Sequence, residues 1–81
     1  MNRKDLEEIV ISKLLNSKEN YYNNFNLLSS DLFKSVEYKL IYKIIDDTYQ
    51  QGKSIDIIKC VNEMHKETGK DYSYNVSALF A

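Results

Sequence analysis

The chain predicts an all-α fold, a compact bundle of four to five helices around a central helix near residues 36–50. Three observations predict it. Apolar residues recur at helical spacing in segments separated by short polar breaks. No Pro occurs, and the two glycines, Gly52 and Gly69, each follow a strongly helical segment, where glycine accepts the left-handed dihedrals that stop a helix. A short turn carrying Phe33 leads into a long two-striped segment that ends near Gly52, and the chain restarts at once with Ser54-Ile55-Asp56, the order of a helical hairpin.

The first helix is expected over about Lys4 to Asn16. Leu6, Val10 and Leu14 recur at i, i+4, i+8 as its core stripe, flanked by Ile9, Ile11 and Leu15. Asp5, Glu7 and Glu8 sit near its start, where the helix dipole favours negative charge. A second, weaker helix covers about Glu19 to Leu28 with Tyr21, Tyr22, Phe25 and Leu28 as apolar positions, although Asn23, Asn24 and Asn26 lower its propensity. Ser29-Ser30-Asp31 breaks the pattern, and Leu32-Phe33 is expected as a single turn plugging the core. The long helix spans Val36 to Gln50, about 22 Å at 1.5 Å per residue. Ile41, Ile44, Ile45 and Thr48 make one stripe, extended by Leu40 and by Val36 a turn earlier, while Tyr38, Tyr42 and Tyr49 lie on a second. Cover that wide implies packing on two sides. Ser54 or Asp56 caps the next helix, about Ile55 to Glu67, whose core face is Ile57, Cys60, Val61 and Met64. A fifth helix is expected from Tyr72 to Ala81, leaving an exposed apolar Leu79-Phe80-Ala81 end that suggests a fragment boundary or a contact with another segment.

Length limits residues 1–81 to one expected domain, burying about 60–65% of the surface its unfolded form exposes. The 11 basic and 12 acidic residues give a net charge of −1 and are spread evenly over both halves, which weighs against phosphate-backbone binding as the main task. The single cysteine excludes an internal disulfide. No apolar run approaches the ~20 residues that span a bilayer. The start of the chain has no signal-peptide pattern. A cytoplasmic location is expected.

No residue cluster points to chemistry. His65 is the one histidine, and helical i+5 spacing turns it away from Cys60, so no metal site is expected. Cys60 lacks a neighbouring base and reads as a small buried apolar residue rather than a nucleophile. Asp46 and Asp47 are adjacent on a helix, face different directions and read as solvated. Seven tyrosines are many for this length. Either they form an exposed partner surface, or Tyr38, Tyr42 and Tyr49 rim the core with their hydroxyls in water. Asp56 reads as a helix cap, with partner contact as its other role. Neither a cofactor nor an enzymatic activity is expected. The competing class is a small helix-turn-helix-like DNA-binding protein, with Lys59, Asn62, Glu63 and Lys66 on its second helix.

An ordered set of short patterns adds to this reading: Asp5-Leu6-Glu7-Glu8 opening the first helix, Leu28 with Asp31-Leu32-Phe33, then Leu40-Ile41-Tyr42, and above all Gly52-Lys53-Ser54-Ile55-Asp56. Together they resemble the N-terminal domain of bacterial replicative DNA helicases of the DnaB type, in the same order from Asp5 to Ala81. Tyr38 stands where that family often has His and Ser54 where it often has Pro, and Leu32 separates Asp31 from a Phe that often follows directly. The helical hairpin that pairs subunits in the family is not recognisable here. Gly52-Lys53-Ser54 lacks the earlier glycine of a phosphate loop, so the ATPase domain is absent from this sequence. The resemblance implies a non-catalytic docking domain that contacts primase, a helicase loader or neighbouring helicase subunits. It also implies weak self-association at most, and a chain that is either a helicase fragment or a free-standing relative. Tyr21, Tyr22 and Tyr49 are the expected partner-facing aromatics.

Overall fold

The computed structural model describes residues 2–80. Five α-helices follow in order: α1 (Arg3–Asn16), α2 (Lys18–Asn24), α3 (Val36–Gln50), α4 (Ile57–Thr68) and α5 (Ser73–Leu79). Two 3₁₀ turns, Phe25–Leu27 and Ser30–Leu32, connect α2 to α3. The described residues form no strand, so the all-α bundle expected from the sequence is what the chain adopts. Its Cα radius of gyration of 11.7 Å is what a chain of this length reaches when every element packs on one core.

α3 is the centre, as its two stripes require. Ile41, Ile44, Ile45 and Thr48 are buried, and so are Tyr38, Tyr42 and Tyr49 on the second stripe. Their rings are part of the core, and Tyr49 departs from the expected hydroxyl in water. The Tyr49 hydroxyl donates to the Leu14 carbonyl at 3.0 Å inside the bundle, which satisfies a polar group that burial would otherwise penalise. Val36, expected on the buried stripe, stands 80% exposed because it is the first helical residue and precedes the packed part of α3. Beyond Gln50, the N–H groups of Gly52 and Lys53 return to the Tyr49 and Thr48 carbonyls. Gly52 makes this stop possible with a φ of 72°, a conformation that costs other residues about 1–2 kcal/mol.

α1 begins one residue earlier than expected, because Asn2 and Asp5 form a capping box in which each side chain accepts the other's backbone N–H. Its buried residues are Glu7, Ile11, Leu14 and Leu15. The expected stripe of Leu6, Val10 and Leu14 is thus corrected: Leu6 and Val10 face outward, and only Leu14 of the three is inside. Apolar residues lie on both sides of this helix, so spacing alone does not choose its inner face. The buried Glu7 carboxylate goes with the chosen one: it accepts from the Lys34 and Ser35 backbone N–H groups, each at 3.1 Å.

α2 ends at Asn24, short of the expected Leu28, where the Asn-rich stretch tightens into a 3₁₀ turn. Tyr21 is its one buried residue, its ring tilted on Tyr49 at 5.1 Å. Of the expected Leu32-Phe33 plug, only Phe33 enters the core, stacked on Tyr42 at 5.3 Å, while Leu32 is 47% exposed. α4 starts at Ile57 rather than Ile55, because Asp56 is the cap and its own backbone is extended. Cys60 and Met64 are fully buried and Val61 packs partly against them. Ile57, expected beside them, sits 36% exposed in the first turn. α5 is pinned to α1 where the Leu79 carbonyl accepts from Ser12 Oγ at 2.8 Å and Asn16 Nδ2 at 3.0 Å. Leu79 is accordingly buried and Phe80 half-buried, so the end expected to be exposed is packed as far as it is described. Ala81, expected in the fifth helix, lies outside the described residues.

Candidate docking surface

The outer side of α1 carries a run of apolar side chains that the bundle leaves partly uncovered. Leu6 is 53% exposed, Ile9 40% and Val10 37%. Leu6 and Val10 are one turn apart, so their side chains form a continuous ridge. Opposite them, the connection from α2 to α3 brings up Leu28 and the half-exposed Leu32, with Phe33 at the back. Between the two walls lies an open groove of about 220 Å³, also lined by Arg3 and Glu7.

Hydrogen bonds from α1 fix the spacing of these walls. The Arg3 guanidinium donates through Nη2 to the Leu32 carbonyl at 2.8 Å and through Nε to Glu7 at 3.1 Å. Glu7 in turn holds the N–H groups of Lys34 and Ser35 just ahead of α3. Ser35 caps α3 without a side-chain bond, so the carboxylate of α1 supplies the negative charge that the start of α3 favours. Burial works to raise the Glu7 carboxyl, but the two backbone donors and the Arg3 guanidinium outweigh it and hold the group below its ordinary value of 4.5. No buried side-chain polar atom among the described residues lacks a partner. The polar groups that border the groove are therefore satisfied within the fold.

The tyrosines expected to face a partner divide. Tyr21 and Tyr49 are 0% and 3% exposed and cannot present their rings to another protein, which corrects the expectation that they are exposed. Tyr21 donates its hydroxyl to Asp46, which is therefore half-buried and bonded rather than solvated, and it accepts from Gln50 Nε2 at 2.9 Å. Burial, then the Asp46 acceptor, pushes its phenol up to about 12. Tyr22 is 44% exposed, with its hydroxyl tied to the Tyr49 carbonyl at 2.7 Å. Phe25, 40% exposed, stacks beside it on Tyr21.

Elsewhere the geometry is structural. Asp56 Oδ1 accepts the Lys59 N–H at 2.7 Å in the first turn of α4. Cys60 is fully enclosed, and burial pushes its thiol up to about 11, away from the reactive thiolate. Among the described residues, no three His, Cys, Asp or Glu side chains come together as a metal site would require. The outward side of α4 forms an open depression of about 620 Å³ where Lys59 and Lys66 alternate with Asp56 and Glu63. Lys66 lies 3.5 Å from Glu63. Mixed charge of this kind gives a phosphate backbone little net attraction.

The sequence reading missed the groove because it assigned Leu6, Val10 and Leu32 to the core. One signal pointed the other way: α1 carries apolar side chains around more of its circumference than neighbours on one side cover. Glu7, four residues before the core Ile11, was a second sign, since a carboxylate on the buried face needs donors from another element.

The model of one protein family, described as DnaB-like helicase N terminal domain, matches residues 1–79. No curated protein and no solved structure matches the chain.

Proposed function

This chain belongs to the DnaB-like helicase N-terminal domain family, and we propose that it is a non-catalytic docking domain that serves DNA replication through its folded surface. Its partners are the primase, a helicase loader or neighbouring helicase subunits, met in the cytoplasm as part of a primosome. The family match supports a replicative-helicase setting. Docking itself is carried by one observation, the outward apolar face of α1 that no element of the bundle covers. Apolar surface of this kind is costly to leave in water and marks an interaction site when it is contiguous. Of Tyr21, Tyr22 and Tyr49, Tyr22 is the one exposed enough to offer its ring to a partner.

In this reading the chain neither binds nor hydrolyses ATP, and it self-associates weakly at most. No described helix is long and apolar enough to cross a membrane. Direct DNA binding is disfavoured by the alternating charges on α4. Affinity capture with the primase, loader and helicase of the same organism tests the proposal. Saturable binding to one of them is expected, and indifference to all three would refute docking. Tight DNA binding with a steep salt dependence would restore the helix-turn-helix alternative.

A further inference from the structure

The groove between α1 and the connection ahead of α3 has a size, a polarity and a charge that fit one kind of occupant. We propose that it receives an amphipathic helix of a partner protein, seating two apolar side chains one turn apart and a carboxylate on Arg3. The inference rests on the docking reading above and specifies the chemistry of the partner.

Size comes first. At about 220 Å³ the groove falls below the ~300–1,000 Å³ of typical small-molecule sites, yet it is walled by Leu6, Val10, Leu28 and Leu32, which suit apolar anchors. Polarity then decides the form of the occupant. The Glu7 oxygens are taken by Lys34, Ser35 and Arg3, and the Leu32 carbonyl is taken by Arg3. An extended peptide would bring unpaired N–H and C=O groups to a wall with little left to satisfy them, and the described residues offer no strand edge for it to join. A helix satisfies its own backbone. The Leu6–Val10 ridge repeats at one helical turn, about 5.4 Å, the same interval at which a second helix presents its side chains.

Charge then sets the polar contact. A guanidinium carries five N–H donors, and Arg3 spends two, on Glu7 and the Leu32 carbonyl, so three remain on a side chain that is 58% exposed. Lys34, whose backbone N–H bonds Glu7, is exposed. Glu7, the acid between them, is turned inward with its oxygens engaged. The free donors of Arg3 thus offer a partner carboxylate a charge-assisted contact, with the exposed Asp31 beside Leu32 as the acid on the opposite wall.

The test is an NMR titration of the isotopically labelled chain with a synthetic alanine-based helical peptide. The peptide carries two leucines four positions apart and a glutamate one turn before the first. Saturable shifts at the amides of Leu6, Val10, Leu28 and Leu32 are expected. They should be lost with a peptide in which serine replaces both leucines. A Glu→Lys peptide should bind about fivefold more weakly, and this preference should vanish in Arg3→Gln. Leu6→Ser and Leu32→Ser, on opposite walls, should each abolish saturation while the chain still melts cooperatively. Should one variant fail to fold, the other still decides. Absence of saturable shifts at these amides, or equal binding of the Glu and Lys peptides, overturns the proposal. So does movement of the same amides by phosphatidylglycerol vesicles or a single-stranded oligonucleotide when the peptide moves none. The peptide titration alone decides the groove, whereas capture of primase, loader or helicase decides the docking reading, so failure of one is distinguishable from failure of the other.

Discussion

Helices α1 and α3 both carry apolar residues on two sides, but the bundle covers them differently. α3 buries seven side chains, from Tyr38 to Tyr49, and has neighbours on both flanks. α1 buries Ile11, Leu14 and Leu15 on one side and leaves Leu6, Ile9 and Val10 in contact with water on the other. The same property of sequence therefore has two outcomes. In α3 it makes a central helix; in α1 it makes a half-covered one with surface to offer a partner. What separates them is position: α3 lies between α1 and α4, whereas the outer side of α1 is left to a groove wall.

The contrast breaks most sharply at α3. Ile44→Asp places a charge where the native side chain is 7% exposed, and burying it unpaired costs several kcal/mol against a total of about 5–15 kcal/mol. Loss of the cooperative thermal transition is expected. A mutant melt that overlays the parent would remove α3 from the centre. A smaller effect is expected from Ile11→Ala on the inner side of α1, about 2–5 kcal/mol from lost transfer energy and a cavity, measured by denaturant titration.

Glu7→Gln tests the bond network that ties α1 to the start of α3. The folded-state carboxyl is held below its ordinary value of 4.5. Its contribution is therefore present above that ordinary value and is lost as pH falls through it toward the lower folded value. The parent should lose stability on acidification through this window, and Glu7→Gln should be less stable at neutral pH with part of the acid dependence gone. Denaturant titrations of both proteins across acid pH check it. Parallel curves for the two proteins would mean that the Glu7 charge does not hold α3.

The same contrast explains what could be read from sequence. The limits of α3 are legible because its two stripes are broad and a glycine follows two residues after its end; the expected and observed spans coincide at Val36–Gln50. The existence of α1 is legible for similar reasons, but its orientation is not. Leu6–Val10–Leu14 and Glu7–Ile11–Leu15 have identical spacing, and the N–H groups that donate to the buried carboxylate of the second row come from 27 and 28 residues away. Tyr21 and Tyr49 were misplaced for a related reason. A buried tyrosine ring usually needs a partner for its hydroxyl, and for these two Asp46, Gln50 and the Leu14 carbonyl are supplied by other helices. Local signals placed the elements; the groove depends on which sides of them face one another.

Asp56→Ala lies lower on the scale. The carboxylate accepts one backbone N–H at the start of α4, and losing such a cap costs about 1 kcal/mol. A fall in the thermal midpoint without loss of cooperativity is expected. An unchanged midpoint would show that water replaces the cap.

The smallest effect on stability is expected from Leu6→Gln, and it decides the comparison most directly. Leu6 is 53% exposed, so folding removes only part of its surface from water, and glutamine matches leucine closely in helix propensity. The substitution should cost no more than about 0.5–1 kcal/mol, well below the cost of Ile11→Ala five positions on. Chemical denaturation of the two variants side by side gives the ratio. A small Leu6 cost together with a large Ile11 cost places the inner side of α1 where the Glu7 bonds put it and leaves the outer side free for a partner. Costs of equal size would mean that Leu6 is covered in solution, which would return Leu6–Val10–Leu14 to the core and close the groove.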